Sequence, residues 1–368
     1  MKIGIITQPL RYNYGGILQN YALQVVLKKY DHDVVTLDGN VKYKKTLKNC
    51  IIKPLKDLIH SNIDNDGKLF HLFRLTTTEQ ILSQNTRKFI NKYIKVRKLH
   101  HLSPKDFDAL IVGSDQVWRP QYSKLDDSFL KFAFKWKNIK RIAYAASFGS
   151  EEWEYTDKET QFCRLLIKKF DAVSVREDSG IYLCRNYFNI NATHVLDPTL
   201  LLTKEEYINN LGIKNIEQSD GDLFYYFLDD TVEKRGFVNA VGKEKHLRPF
   251  TVNSKVEDPN ATINNQIQPP IEKWLRAFYD ANIIITDSFH GCVFSIIFNK
   301  PFLVIANNKR GIARFNSILK ICNQQNRLIK HFNDVNTDFH ITLLDRRPDV
   351  DLRPLRLKSL SFLKNHLM

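Results

Sequence analysis

The stretch IIITDSFHGCVFSIIFNK, residues 283–300, changes character twice. A short apolar run rich in β-branched residues is followed by polar and small residues, and then by a longer apolar run. The first run has the length and composition of a buried strand, whereas the second is long enough to form a helix. The sequence therefore predicts a strand, a tight turn and a buried helix in succession, as in parallel α/β structures.

The same pattern recurs along the chain. Short apolar runs that end in polar or small residues are found in KIGIIT, DVVTLD, FDALIVGSD, KRIAYAASFG, FDAVSVRE, ATHVLDPTLL, LFYYFLDD and PFLVIAN. Runs of this kind are typical of parallel strands that are buried on both faces. The sequence thus predicts an α/β protein built on parallel sheets.

A polar segment with turn residues, at 211–222, interrupts this pattern before it restarts. We therefore predict two Rossmann-like, doubly wound α/β domains that face each other across a cleft. The predicted boundaries are 1–210 for the first domain, with a basic helical insertion at about 42–102, and 211–345 for the second. The remaining residues, 346–368, contain an amphipathic helix that we expect to pack back on the first domain.

The composition indicates a folded protein with a large core, because 43% of the 368 residues are hydrophobic and only 26% are charged. The five cysteines form no CxxC pair, so neither a disulfide framework nor a zinc site is expected. Cys292, beside the polar turn, is interpreted as a small core residue rather than a nucleophile. Neither a signal-peptide pattern nor a run of about 18 apolar residues is found, so we expect a cytoplasmic protein.

The formal net charge of +15 favours three classes of partner, namely nucleic acid, an anionic membrane surface and phosphate-bearing small molecules. Nucleic acid is not expected, because the sequence lacks zinc-finger spacings and RNA-binding motifs. The densest basic run lies at 42–56, and a second basic segment lies at 352–364. Each is either a solvated helix face or a surface for peripheral contact with the cell membrane. The sequence leaves this choice and the oligomeric state open.

Ligands of open parallel sheets bind beyond the carboxyl ends of the strands, so the polar residues that end each apolar run are the candidate site residues. After the first run, Gly15 and Gly16 open a helix whose free amides could hold an anion or a sugar oxygen. Gln19 and Asn20 follow in the same helix, where their side-chain amides could bind hydroxyl groups. The alternative for the glycines is a tight turn that needs their conformational freedom.

Two later strand ends of the first domain carry further candidates. Ser114 and Asp115 lie in a loop of small residues, and Asp115 is available either as a general acid or base or as a helix cap. Arg176 could hold a carboxylate or a phosphate through two parallel hydrogen bonds. Its alternative role is a surface ion pair with the neighbouring Glu177.

The polar turn of the second domain brings Ser288, His290 and Gly291 to the start of a helix. A histidine flanked by such residues at a strand–helix turn is more often functional than structural. Arg310 and Arg314 lie four residues apart, so one helical turn could present both to an anion, although they could equally be ordinary polar residues at a helix start. The sequence lacks HExxH and HxH patterns, so we expect neither a metal ion nor a bound cofactor.

Six segments stand in a distinctive order, namely YNYGGILQNYALQ, FDALIVGSDQVW, RIAYAASFG, FDAVSVRE, HVLDPTLLL and IITDSFHGCVFSIIFNKPFLVI. In this order and spacing the chain resembles the polysaccharide pyruvyl transferase family, from the first strand to about Asn323. The resemblance implies a two-domain fold like that of the GT-B glycosyltransferases. It also implies transfer of a pyruvyl group from phosphoenolpyruvate to two hydroxyls of a sugar in a capsule or exopolysaccharide precursor. The product is a cyclic ketal, phosphate is released, and the implied acceptor is a lipid-linked oligosaccharide.

Under this resemblance, His290 and Asp115 are the expected catalytic residues, and His290 is the first choice for proton transfer. The expected donor-binding residues are Arg176, Ser288, Gly291, Arg310 and Arg314. The expected acceptor-binding residues are Gly15, Gly16, Gln19, Asn20 and Ser114.

Similar proteins often carry RLHG where this chain has SFHG at 288–291. Ser288 therefore stands in place of an arginine that is expected to help hold phosphoenolpyruvate. Arg176 would then bind more of the donor's negative charge, with Arg310 or Arg314 in support. Two other interpretations stay open, namely a GT-B glycosyltransferase with a nucleotide-sugar donor and a non-catalytic protein that binds anions or glycans.

Overall fold

A computed structural model describes residues 1–38, 80–98, 102–255, 260–307, 311–330 and 337–368. Most of the predicted basic insertion, including the run at 42–56, lies outside these residues, and so does Arg310. The described part of the chain forms two parallel sheets, which confirms the predicted α/β class.

The first sheet has seven strands within the described residues. They are β1 (Lys2–Ile6), β2 (Asp33–Asp38), β3 (Val96–Lys98), β4 (Ala109–Val112), β5 (Lys140–Ala146), β6 (Ala172–Val175) and β7 (Thr193–His194). Their spatial order is β3-β2-β1-β4-β5-β6-β7, and all neighbours are parallel. Ile5 of β1 pairs with Thr36 on one side and with Ile111 on the other. This interior position explains why the sequence of β1 is apolar almost throughout.

The second sheet has five strands within the described residues. They are β8 (Leu223–Tyr226), β9 (Pro249–Phe250), β10 (Ile283–Thr286), β11 (Phe302–Ile305) and β12 (Leu328–Ile329). Their order is β12-β11-β10-β8-β9, again with parallel neighbours. Ile284 of β10 pairs with Phe224 and with Phe302. The polar turn at 287–291 therefore leaves the middle of this sheet at its carboxyl edge.

Helices connect most of these strands. In the described residues they are α1 (Tyr14–Lys28), α2 (Gln84–Tyr93), α3 (Leu125–Ser128), α4 (Asp157–Ile167), α5 (Asp178–Leu183), α6 (Lys204–Leu211), α7 (Val232–Lys245), α8 (Ile263–Gln266), α9 (Ile271–Asp280), α10 (Phe289–Ile297), α11 (Ala313–Ile321), α12 (Thr337–Leu343) and α13 (Arg353–Leu367). Helix α10 is buried along its whole length, as its apolar sequence predicts. Of the helices in the described ranges, none is long and apolar enough to cross a membrane.

The two sheets share one hydrophobic core that continues across the domain boundary. Tyr14 of α1 packs against Trp274 of α9 with ring centroids 5.5 Å apart, and its hydroxyl donates a hydrogen bond of 2.7 Å to the carbonyl of Pro269. On the other side of the cleft, the amide of Asp178 donates to the Ser317 hydroxyl at 3.1 Å. The domains are thus in contact on both sides of the cleft between them.

The final helix, α13, lies on the first domain. The Ser359 hydroxyl accepts a hydrogen bond of 2.9 Å from the amide of Leu196, and the Arg356 guanidinium donates to the carbonyl of Leu200 at 2.6 Å. Phe362 lies against Tyr144 of β5, with ring centroids 6.2 Å apart. The chain therefore crosses between the domains twice, after α6 and again before α13.

Candidate active site

A cavity of about 940 Å³ lies between the two domains, at the carboxyl ends of β1, β4 and β10. The first domain lines it with Asn13, Gly15 and Asp115, among others, and the second with Ser288, His290 and Arg314, among others. Facing strand ends are where open α/β sheets bind ligands, so the fold places this cavity where a site is expected.

The turn after β10 is fixed by hydrogen bonds of its own residues. Ser288 is the N-cap of α10, where its hydroxyl accepts a hydrogen bond of 3.3 Å from the amide of Gly291. A Cβ on Gly291 would lie 2.2 Å from the Thr286 hydroxyl oxygen, so only glycine fits there. Ser288 lines the cavity, whereas the Gly291 amide is engaged by the cap. His290 is consequently held in the first turn of α10.

Asp287, the first residue of this turn, binds the loop that follows β8. Its carboxylate accepts hydrogen bonds from the amides of Leu228 and Asp229 at 2.6 Å and 3.1 Å, and from the Lys234 ammonium at 2.6 Å. Burial raises the pKa of the Asp287 carboxyl, although Lys234 and the amides oppose this effect. The acid at this position therefore holds the loop after β8, which forms a wall of the cavity.

Arg176, at the end of β6, joins two carboxylates of the first domain. Its guanidinium donates to Asp197 at 2.8 Å and to Asp115 at 3.0 Å, and it lies 3.8 Å from Glu177. All four side chains are buried, so the alternative of a surface ion pair between Arg176 and Glu177 is wrong, and Arg176 lies inside a buried charge cluster. Asp197 is held in turn by the amide and hydroxyl of Thr199, at 3.0 Å and 2.7 Å.

Asp115 occupies an unusual backbone conformation. Its φ of 71° lies in the left-handed region, which costs a residue with a side chain on the order of 1 kcal/mol. The carboxylate accepts hydrogen bonds from Arg176, from the amide of Gln116 at 2.9 Å and from the Asn13 side chain at 3.2 Å. These three donors offset the backbone cost and fix the direction of the side chain.

His290 completes the cluster from the opposite domain. Its Nε2 lies 3.8 Å from the Asp197 carboxylate, and a Cβ on Gly15 would stand 1.8 Å from its Nδ1. The ring is therefore wedged between the first turn of α1 and the carboxylate. Within the described residues, no hydrogen bond is formed by the buried Nε2. The imidazole is thus held in place by packing, without its ring nitrogen being used by the fold.

The charges of the cluster fix the protonation of its acids. Burial alone would raise the pKa of the Asp197 carboxyl, but the facing His290 and Arg176 hold it well below its usual range. The pKa of the Asp115 carboxyl is also lowered, since Arg176, His290 and Arg314 outweigh the effect of burial. Two ionised carboxylates therefore stand beside one imidazole.

Arg314, near the start of α11, is a second arginine of the site and lines the cavity. Its guanidinium carbon lies 5.2 Å from the ring centroid of Phe289, and that of Arg176 lies 4.7 Å from the same centroid. Burial and the charge of Arg176 lower the pKa of Arg314 to about 10, so Arg314 is still a cation at neutral pH. Of the two arginines, Arg314 is the one that borders the cavity.

Three of the residues predicted to bind an acceptor are fully buried instead. Gln19 accepts a hydrogen bond of 2.9 Å from the amide of Ser114, and Ser114 donates one of 2.7 Å to the carbonyl of Ala145. Asn20 accepts one of 2.7 Å from the Thr36 hydroxyl. These contacts position α1 against the loop that carries Asp115. Of the remaining two, Gly15 borders the cavity and Gly16 packs beside Asn13 and Asp115.

The sequence model of the polysaccharide pyruvyl transferases matches residues 13–309. The chain belongs to this family. The match begins beside Gly15 and extends past His290, so both halves of the charge cluster lie within it. A comparison with curated proteins finds no match.

Solved structures identify the fold of this pyruvyl transferase family member as GT-B. The UDP-GlcNAc 2-epimerase from Methanocaldococcus jannaschii is similar, with a TM-score of 0.51 at 14% sequence identity, covering 99% of each chain. The UDP-GlcNAc 2-epimerase from Neisseria meningitidis has a TM-score of 0.45 at 11% identity, covering 99% of this chain and 100% of that one. MurG from Acinetobacter baumannii has a TM-score of 0.41 at 11% identity, covering 99% and 95%.

Several residues of the site were missed by reasoning from the sequence. Asp197 ends the apolar run of HVLDP, and the rule that selected Asp115 and Arg176 could have selected it too. Asn13, Arg235 and Lys255 also line the cavity, but they lie outside the ends of apolar runs and gave no comparable signal.

Two further predictions from the sequence concern Cys292 and metal binding. Cys292 is fully buried, and burial raises the pKa of its thiol well above the usual value, so it is a core residue. Across the described residues, no three His, Cys, Asp or Glu side chains come together as a metal-binding group. The candidate site of this family member is built from an imidazole, carboxylates and guanidinium groups.

Proposed function

We propose that this protein transfers a pyruvyl group from phosphoenolpyruvate to two hydroxyls of a sugar in a capsule or exopolysaccharide precursor. The observation that carries the proposal is the position of His290, which reaches across the cleft to within 3.8 Å of Asp197. An imidazole beside ionised carboxylates and a buried arginine, in a cavity between two domains, suits proton transfer to and from an anionic substrate.

The reaction needs three proton movements and one leaving group. In the first step, a sugar hydroxyl oxygen adds to C2 of phosphoenolpyruvate, its proton is removed, and a proton is added to C3 to form the methyl group. In the second step, another hydroxyl oxygen bonds to C2 while the bond from C2 to the phosphate oxygen breaks. The second hydroxyl proton leaves with the phosphate. General acid–base assistance of this kind typically contributes about 10²–10⁴-fold in rate.

His290 is the group to which we assign proton transfer. Asp115 and Asp197 are ionised through Arg176 and His290, so neither is a suitable proton donor. His290 lines the cavity and lies 3.8 Å from Asp197, so it is the group that we assign to proton addition at C3. Asp115 is the second choice as a base, because its oxygens already accept hydrogen bonds from Arg176, Gln116 and Asn13.

Arg314 is the first candidate for holding the anionic donor. It lines the cavity as a buried cation, whereas Arg176 is bound to Asp115 and Asp197 behind the cavity wall. Arg235 and Lys255 line the same side of the cavity. Ser288 offers only a hydroxyl where similar proteins often have arginine, so these second-domain cations take over that role in the proposal.

The cavity has room for donor and acceptor together. Its volume of about 940 Å³ is near the upper end of the ~300–1,000 Å³ that is usual for ligand pockets.

We propose a lipid-linked oligosaccharide as the acceptor, with the basic residues of α13 contacting an anionic membrane surface. Flotation of the protein with anionic liposomes, reversed by salt, is the expected result, and the lack of salt-sensitive binding contradicts this part.

The decisive experiment is incubation with phosphoenolpyruvate and a panel of free and lipid-linked galactosides and mannosides. We expect phosphate release and a product that is heavier than the acceptor by one pyruvate less one water. Thermal stabilisation by nucleotide sugars without stabilisation by phosphoenolpyruvate would instead indicate a glycosyltransferase. No stabilisation by either donor and no phosphate release would indicate a non-catalytic relative.

A further inference from the structure

Tyr122 differs from the buried aromatic residues that line the cavity. Its exposed fraction is 46%, whereas those of Phe289 and Trp274 are 5% and 0%. A single exposed aromatic ring on an outer surface needs no explanation, but ligand pockets are lined predominantly by apolar and aromatic side chains. An exposed ring at the wall of a substrate cavity is therefore a candidate binding surface.

The ring of Tyr122 is supported by a neighbouring guanidinium group. The guanidinium carbon of Arg119 lies 5.0 Å from its centroid, and the Tyr122 amide donates a hydrogen bond of 3.0 Å to the Arg119 carbonyl. Arg119 is fixed in turn by two hydrogen bonds to Glu154, at 3.0 Å and 2.8 Å. The guanidinium lies over the ring, and Tyr122 is still 46% exposed at the cavity wall, so the ring keeps surface that a ligand can contact. A preorganised ring loses little conformational entropy when it binds.

The position of Tyr122 favours the sugar acceptor over the donor. Tyr122 follows Asp115 and Gln116 in the loop after β4 of the first domain, whereas Arg235, Lys255 and Arg314 line the cavity from the second. The face of an aromatic ring carries partial negative charge, so it attracts the partly positive C–H groups of a pyranose and disfavours a phosphate or carboxylate. The wall that carries Tyr122 thus suits the sugar acceptor, and the wall that carries Arg235, Lys255 and Arg314 suits the anionic donor.

We propose that Tyr122, supported by Arg119 and Glu154, is a stacking platform for the acceptor sugar. The platform rests on the proposed function, since it names the acceptor subsite of the same cavity. Pyranoses in which several neighbouring C–H bonds point to one face stack best, so a galactoside is favoured over a mannoside. Tyr122 contacts the acceptor and takes no part in proton transfer.

Titration of the full-length protein with methyl β-galactoside, without phosphoenolpyruvate, tests the platform. We expect Tyr122→Ala and Tyr122→Leu to weaken binding about tenfold, which corresponds to the loss of one aromatic contact. Tyr122→Phe restores the affinity because it restores the ring. Tyr182→Ala, which removes a tyrosine that is 63% exposed on α5, is the matched control and leaves binding unchanged.

Two results overturn the platform. One is wild-type galactoside affinity in Tyr122→Ala or Tyr122→Leu, and the other is a Tyr122→Phe variant as weak as Tyr122→Ala, which would assign the effect to the hydroxyl. A different result would contradict pyruvyl transfer but not the platform. If the wild-type protein releases no phosphate from phosphoenolpyruvate, yet Tyr122→Ala still loses galactoside binding, the platform stands and pyruvyl transfer does not.

Discussion

His290 of the second domain packs directly on Gly15 of the first. A Cβ at Gly15 would lie 1.8 Å from Nδ1 of His290 and 2.3 Å from its Cγ, so the imidazole occupies the space that any other side chain would need. This contact brings a histidine from one domain to the carboxylates of the other. It also makes the position of the ring depend on a residue that has no functional group of its own.

We therefore expect Gly15→Ala to displace the imidazole and to lower ketal formation at least ~100-fold, since a misplacement of about 1 Å can have an effect of this size. Gly236→Ala is the matched control, because a Cβ at Gly236 on α7 would meet nothing within 4 Å. The control is expected to raise the free energy of unfolding by about 0.5–1 kcal/mol. Initial rates of phosphate release, together with thermal melts, check both variants. Equal rates in the wild type and Gly15→Ala would contradict the assigned ring position.

Replacing the imidazole itself tests its chemistry. His290→Ala is expected to lower the rate of ketal formation by about 10²–10⁴-fold and to leave the protein folded, because the buried Nε2 of the ring forms no hydrogen bond to the described residues. Phosphate release and product mass are the measurements, with circular dichroism as the control for folding. Normal turnover by a folded His290→Ala protein would remove this residue from the mechanism.

Asp197 is expected to matter for stability as well as for activity. Asp197→Asn leaves the buried Arg176 with one carboxylate partner fewer, and breaking a buried ion pair typically costs about 3–5 kcal/mol. Chemical denaturation at neutral pH measures the loss. Asp126→Asn, which breaks an exposed pair with Lys131, is the control and is expected to change the free energy of unfolding by less than about 1 kcal/mol. Similar losses in the two variants would show that the buried cluster is not a special source of stability.

The same cluster predicts how stability changes with pH. The pKa values of Asp115 and Asp197 are lower in the folded than in the unfolded protein, so the two carboxylates stabilise the fold above the unfolded value of about 4. This contribution is lost as the pH falls below about 4 towards the folded pKa values. Thermal melts between pH 7 and pH 3 should show a steep decline at the acidic end, and the decline should be shallower in Asp197→Asn. An identical acidic decline in that variant would refute the assignment.

A glycine contact between the domains gives a further prediction. Gly311 has a φ of 92°, and a Cβ there would stand 2.0 Å from the carbonyl oxygen of Gly149. Gly311→Ala should push the start of α11, with Arg314, away from the first domain and raise KM for phosphoenolpyruvate. Gly212→Ala is the control, because Gly212 also has a positive φ, of 63°, but its Cβ would meet only Asn215 at 3.8 Å. If both variants raise KM equally, backbone strain rather than the domain contact is responsible.

The sequence predicted the parallel sheets and the placement of His290, Ser288 and Asp115 at the cavity, because each ends an apolar run. It predicted ligand contacts for Gln19 and Asn20 that are instead buried. A polar side chain in a helix can face either a ligand or another helix, and periodicity alone does not distinguish the two. The sequence also did not predict the partners of Arg176, because Asp115 and Asp197 lie 61 and 21 positions away from it in the chain. Only the folded sheet brings these three together.

The return of α13 to the first domain has a mechanical consequence. The second domain is anchored at both of its ends, by the segment after α6 and by the segment before α13. Two covalent links and a shared hydrophobic core hold the domains together. The approach of His290 to Asp197 is therefore a contact within one folded chain rather than an encounter between two separate bodies.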